Sequence, residues 1–247
     1  MPPGYKLADT TLSHPDMGAV NNRLRIKLAL HPSSKLSLHL AYDLSPRIQD
    51  PALFEENAFF AGLKPLEYRF DDFRDRIYPE PGDPAVSFGL YHNLDRFFMT
   101  IKTEFADIFV GRQAIAWGSA RVINPTDIIA PFAFNELDKE ERRGVDAIRV
   151  RVPLGMMDEL DMGFVSGKNF DSEKNAFFLR GKIYKFKTDM SIPLIGFRKH
   201  LLIGVDLTRA LGGAGFWLET AYVIPDYFRE TKNQKEKNYF RATIGLD

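Results

Sequence analysis

Through the second half of the chain, apolar and polar side chains alternate residue by residue in runs of about ten, separated by turns. In the last run Phe240, Ala242, Ile244 and Leu246 alternate with Tyr239, Arg241, Thr243 and Gly245. Successive side chains of a strand point to opposite faces, so each run predicts a strand with one oily and one polar side. The same rhythm opens the chain. Leu24, Ile26, Leu28 and Leu30 alternate with Arg23, Arg25, Lys27 and Ala29, and after a turn at 31–35 come Leu36, Leu38, Leu40, Tyr42 and Leu44. Further strands are expected at 94–103, 106–112, 145–153, 159–166, 176–186, 188–197, 201–209, 215–224 and 238–246. Residues 45–63 read as a loop with a short helix around 51–60, 66–70 as a strand, and 78–84 as turns.

The connections alternate in size. Those near Glu104, Gly155, Lys187 and Gly212-Gly213 are short; 113–144, 167–175 and 225–237 are long and polar. Short turns at one rim and long loops at the other are the organisation of an outer-membrane barrel. Two places depart from it. The connection at Arg198-Lys199-His200 is short where a long one is due, and Pro193 predicts a bulge or a strand end. Rings near strand ends, among them Phe97, Phe105, Tyr184, Phe186, Tyr222 and Tyr239, fit an interfacial girdle and equally fit ordinary β propensity.

An oily sheet face must meet a second apolar layer or face lipid. The opposite faces carry Arg96, Lys102, Arg149, Arg151, Asp161, Arg180, Lys182, Asp206, Glu219 and Arg241. In a barrel these side chains would line a wet interior and set which solutes pass; on a soluble sheet they would be an ordinary solvated face. Both readings stand at this point.

Composition removes other classes. The 247 residues hold 33 basic and 33 acidic side chains, so no cationic excess marks a nucleic-acid partner. No apolar run is long enough for a membrane helix. Cysteine is absent, which removes disulfides, thiolate catalysis and Cys-based zinc sites. His14, His31, His39, His92 and His200 lack metal-ligand spacing, and no phosphate loop, dinucleotide fingerprint or nucleophile elbow occurs. No enzyme, cofactor or metal site is expected. The N-terminus has no basic stretch followed by an apolar one, and the final strand runs straight to Asp247, so the chain is expected to be part of a longer precursor.

The longest connection carries the most distinctive residues: Gly111-Arg112-Gln113, then Trp117-Gly118, then Asn124-Pro125-Thr126-Asp127. In that order they resemble the signature of a largely uncharacterised, porin-like family of Gram-negative outer-membrane β-barrels: a strand ending in GRQ, then WG, then NP-x-D. The resemblance runs roughly from residue 94 to the end. It implies a signal peptide and further strands outside this chain, an outer-membrane location, and solute passage as the family's role.

The resulting expectation is an all-β, antiparallel, up-and-down transmembrane barrel of about 10–14 strands, incomplete in this chain. It is expected as a single domain over 1–247, with an N-terminal extension at 1–21 and the 113–144 segment as an ordered inward or rim loop. Arg112, Trp117 and Asp127 are expected to hold that segment, with a buried Arg112–Asp127 pair as the clamp. The expected partners are outer-membrane lipid and small solutes, with a homo-oligomer or a partner protein compatible with the same surface. The competing functions are a soluble β-sandwich or barrel binding a ligand such as a carbohydrate, and a barrel serving as scaffold for a partner protein.

Overall fold

A computed structural model of the chain describes residues 18–49, 68–73, 76–80, 83, 86–120, 124–130, 142–171, 173–228 and 236–246. The alternating runs become strands: β1 (Ala19–Asn21), β2 (Leu24–Ser33), β3 (Leu36–Gln49), β4 (Arg76–Tyr78), β5 (Phe88–Lys102), β6 (Asp107–Gln113) and β7 (Val145–Pro153). They continue as β8 (Glu159–Val165), β9 (Ala176–Lys185), β10 (Thr188–Phe197), β11 (His200–Leu211), β12 (Ala214–Ile224) and β13 (Tyr239–Leu246). All belong to one 13-stranded antiparallel sheet, and from β5 onward each strand pairs with the next in sequence. The all-β, antiparallel, up-and-down architecture is therefore as expected.

The short helix expected at 51–60 lies outside the described residues, as do 66 and 67. Residues 68–70 are not a strand, and Arg76–Tyr78, of which only Tyr78 falls in the expected turns at 78–84, pairs with β5.

The chain divides into two compact units. One comprises Met1–Leu24, Leu44–Gly62 and Arg74–His92. Within it β1 pairs with the end of β3, β4 pairs with the start of β5, and the Arg47 guanidinium lies 3.9 Å over the Tyr91 ring. The other comprises Arg25–Asp43, Leu63–Phe73 and Asn93–Asp247. It holds the long connection and every charged residue singled out from the sequence.

Within this second unit the register sorts the side chains. One apolar row runs Val150, Met162, Leu179, Leu194, Ile203, Tyr222, Phe240, each the cross-strand partner of the next. Ile183, Met190, Leu207, Leu218 and Ile244 form a parallel row. From β7 to β13 charges enter this face only at strand ends, at Asp146, Lys185 and Arg209. Many of its large side chains are open, with Ile148 53% exposed, Leu179 42% and Ile244 69%, while Val150, Leu194 and Leu218 are half-buried and Leu201 is buried.

The turns follow the expected alternation. Phe186-Lys187 and Gly212-Gly213 close two-residue hairpins at one rim, with φ of +55°, +60° and +65° at Phe186, Lys187 and Gly212, the left-handed values such turns need. Arg198-Lys199 makes an equally tight turn at the other rim, where the strand ends meet directly. Pro193 causes neither a bulge nor a strand end. β10 keeps one register along β9 from Thr188 to Phe197, and its register with β11 is the same before and after Ile192-Pro193. The missing N–H removes a ladder bond without shifting the strand.

Candidate functional site

Strand pairing places the charged candidates together. Lys102, Asp107, Arg151, Asp161 and Arg180 follow one another across β5 to β9, and Lys182, Ser191, Asp206, Glu219 and Thr243 across β9 to β13. Alternation from these anchors adds Arg96, Arg149 and Arg241 to the same face. This polar face is not polar throughout. Toward the long-loop rim it becomes apolar, with Val145, Ala147, Val165, Ala176, Phe178, Ile195, Leu202, Ala221 and Val223 all buried.

What buries them is the long connection. Ile115 and Ile129, each 1% exposed, pack into this cluster with Ala130, and Trp117 sits against it with its ring 4.6 Å from that of Phe178. Apolar residues in a nominal loop thus find an apolar patch on a nominally polar face, and residues 113–120 and 124–130 are held there by ordinary core formation. Its residues 121–123 and 131–141 lie outside the described residues, among them Val122, Phe132 and Phe134.

Carboxylates on the strands then fix it in place. Asp161 of β8 accepts the Trp117 indole N–H at 2.9 Å while also receiving Arg149 Nε at 2.8 Å and Nη2 at 2.6 Å. Asp206 of β11 accepts the Ser119 hydroxyl. Glu219 of β12, fully buried, accepts the backbone N–H groups of Ala120 at 3.2 Å and Thr126 at 2.8 Å, and the Thr126 hydroxyl at 2.6 Å. Two glycines give the segment its close contacts. A Cβ on Gly118 would meet the Asn124 side chain at 2.6 Å, and one on Gly204 would meet Thr126 Cγ2 at 2.6 Å.

The motif residues act on the segment itself. Asp127 Oδ1 accepts the backbone N–H groups of Trp117 at 3.0 Å and Gly118 at 3.3 Å, tying them to the turn at the buried Pro125-Thr126. Its other oxygen pairs with Arg142. Gln113 Nε2 donates to the Ala147 carbonyl at 3.2 Å. The expected Arg112–Asp127 clamp is not formed. Arg112 Nε pairs with Asp146 at 2.8 Å, and Nη1 reaches Asp72 at 2.8 Å and the Leu94 carbonyl at 3.0 Å. Alternation explains this, because Gln113 faces the segment and Arg112, one residue earlier, points the other way. Arg142, outside the motif, is the partner of Asp127.

The remaining candidates separate by position. Arg96 lies near the long-loop rim, donating to the Asp95 carboxylate at 2.7 Å and to the Arg142 carbonyl; Asp95 also receives Arg25 at 2.5 Å. Arg241, on β13, is exposed and lies 4.9 Å from the Tyr239 ring. Toward the opposite rim, Arg149, Arg151, Arg180 and Lys182 line a cleft of about 450 Å3 beside Trp117. A second cleft, of about 340 Å3, is lined by Arg151, Phe109, Lys102, Lys35 and His39. Among the described residues, no group of His, Asp and Glu is arranged to hold a metal ion.

No family model matches the chain, and no curated protein matches it. Among solved structures it is similar to Pseudomonas aeruginosa OpdK, crystallised with vanillate, at 11% identity and a TM-score of 0.44, over 84% of this chain and 51% of that one. The chain therefore spans about half the length of that structure.

Proposed function

We propose that this chain belongs to an outer-membrane channel in which its apolar face meets lipid and its charged face lines a water-filled path narrowed by the 113–144 segment. The observation that carries this reading is the opposite treatment of the two faces. The apolar face is left open, with side chains such as Phe240 63% and Leu246 68% exposed, whereas the charged face receives the chain's own long connection. A soluble sheet would use such a segment to cover its oily face, since an exposed apolar surface of that extent drives aggregation in water. Lipid removes that need, and the wet side is where an inserted segment acts on passing solutes. The same geometry supports a role in passage over a ligand-binding sandwich, which requires two oily faces in contact.

The test is reconstitution of the full-length protein into planar bilayers. Stable conductance steps are expected, and they should enlarge when residues 119–138 are replaced by a short Gly-Ser link. A protein that is monodisperse without detergent and inactive in bilayers would overturn the reading, and one that inserts without conducting would be a scaffold.

A further inference from the structure

The first cleft has an unresolved charge balance. Arg149 is satisfied by Asp161, and Lys182 lies 3.2 Å from Asp189. Among the described residues, neither Arg151 nor Arg180 has a carboxylate at hydrogen-bonding distance, although the Arg151 guanidinium lies 4.4 Å over the Phe109 ring. Among the described residues, the Nε of each is buried without a hydrogen bond. The carboxylate they share is that of Glu159, 3.8 Å from Arg151 Nη1 and 3.9 Å from Arg180 Nη1, within ion-pair range but beyond hydrogen bonding. The other carboxylates facing Arg180 are engaged elsewhere, Asp161 by Arg149 and Trp117, and Asp206 by Ser119. The Arg180 side chain is nonetheless only 11% exposed.

A buried guanidinium with unused donors is costly unless something supplies oxygen acceptors. Its planar fork matches an oxyanion in a way an ammonium does not. Arg151 and Arg180 stand in register on either side of Asp161, so both point into the same cleft from β7 and β9, with Trp117 forming a wall.

Resting on the reading of this face as a wet interior, we propose that the cleft is a binding station for a small solute bearing one oxyanion group, carboxylate or phosphate. The oxyanion takes the donors of Arg151 and Arg180, and Glu159 is the resident counter-charge it displaces. Glu159 suits that role because it neutralises the pair loosely without hydrogen-bonding to either member, and it is 29% exposed, free to turn toward water.

The chain's tryptophans number 2, so a Trp217→Phe background of the full-length protein, with any tryptophan outside this chain likewise replaced by Phe, leaves Trp117 as the sole indole reporter in the wall of the cleft. Folded in detergent at constant ionic strength, that protein is titrated with butyrate, with inorganic phosphate and with the neutral analogue butyramide. A saturable change in Trp117 emission is expected with an anion and not with butyramide, and the stronger of the two anions identifies the oxyanion. Arg180→Gln and Arg151→Gln should each weaken binding about tenfold or more, as loss of a charged bidentate donor does. Glu159→Gln should tighten it by about threefold. Indistinguishable titrations with butyrate, phosphate and butyramide, or Gln variants that bind as the parent does, would overturn the site. Weaker binding in Glu159→Gln would overturn the displacement. Bilayer conductance is read separately: a conducting protein with flat titrations refutes the site alone, and a non-conducting protein with saturable titrations refutes the channel alone.

Discussion

Thr126 donates both its backbone N–H and its hydroxyl to one carboxylate oxygen of Glu219, at 2.8 and 2.6 Å. The other oxygen takes the Ala120 N–H. One buried side chain on β12 thus anchors both Ala120 and, within the NP-x-D residues, Thr126. Hydrogen bonds to a charged acceptor contribute about 1.5–3 kcal/mol each, and a buried donor left without its acceptor costs a similar amount. Glu219→Ala should therefore release the segment while sparing the sheet. Limited proteolysis in detergent should cut within 113–144 at least about tenfold faster than in the parent, the equivalent of about 1.4 kcal/mol, with the strands still protected. Glu219→Gln, which keeps an acceptor oxygen, should be intermediate. Parent-like resistance in Glu219→Ala would show that the apolar contacts alone hold the segment.

The same release should follow from a purely steric change. Gly204 leaves room for Thr126 Cγ2 and Pro193 Cγ, which a Cβ would approach to 2.6 and 2.9 Å. Gly204→Val should cost about 1–3 kcal/mol through overpacking and produce the same cleavage pattern as Glu219→Ala. Because both act on one docking event, the double variant should be no more sensitive than the worse single variant. Additive sensitivity would indicate that Gly204 matters to the sheet itself.

The strands were legible because a sheet with one apolar and one polar face imposes period-two alternation, and a one-residue slip would exchange Arg149 with Ile148 or Val150. The polar face was legible for the same reason. What the alternation could not show is where that face turns apolar. Val145, Ala147, Phe178 and Leu202 share it with Arg149 and Asp206, and they are buried in one cluster with Ile115, Ile129 and Ala130 of the docked segment and with Tyr68. Ile115, Trp117 and Ile129 were the available signal, being too apolar for a solvated tether. The choice of ion-pair partners was less legible. Arg112 and Asp127 belong to one motif, yet strand alternation sends Arg112 to Asp146 and leaves Asp127 to Arg142. A partner twelve or more residues away on another element has no local signature.

That division of partners predicts how Arg112 responds to substitution. It bonds Asp146 through Nε and Nη2, Asp72 and the Leu94 carbonyl through Nη1, and the Asp71 carbonyl through Nη2 at 2.6 Å. An ammonium cannot reproduce that fork, so Arg112→Lys should rescue little of the loss seen in Arg112→Gln. With Asp72 and Asp146 partly open to solvent, the loss in either variant should be about 1–3 kcal/mol, below that of a fully buried pair. Denaturant titration in micelles measures it. Full rescue by Lys would mean that charge alone matters there.

The sharpest test of whether the apolar face meets lipid lies at two adjacent residues of β13. Ile244 faces the open apolar side at 69% exposure, and Thr243 faces the polar side opposite Glu219. Consecutive residues sit at nearly the same depth, so an Arg at each differs in face and little else. In a bilayer, Ile244→Arg should cost about 2–4 kcal/mol when placed near the midplane, whereas a site on the wet face should cost about 1 kcal/mol or less. In water the order reverses. An Arg replacing an exposed Ile would be neutral or would improve solubility, and Thr243→Arg would crowd the more enclosed side. Refolding both variants into phosphatidylcholine vesicles across a denaturant series gives the two free energies directly. A larger loss in Thr243→Arg than in Ile244→Arg would exclude lipid as the medium of the apolar face.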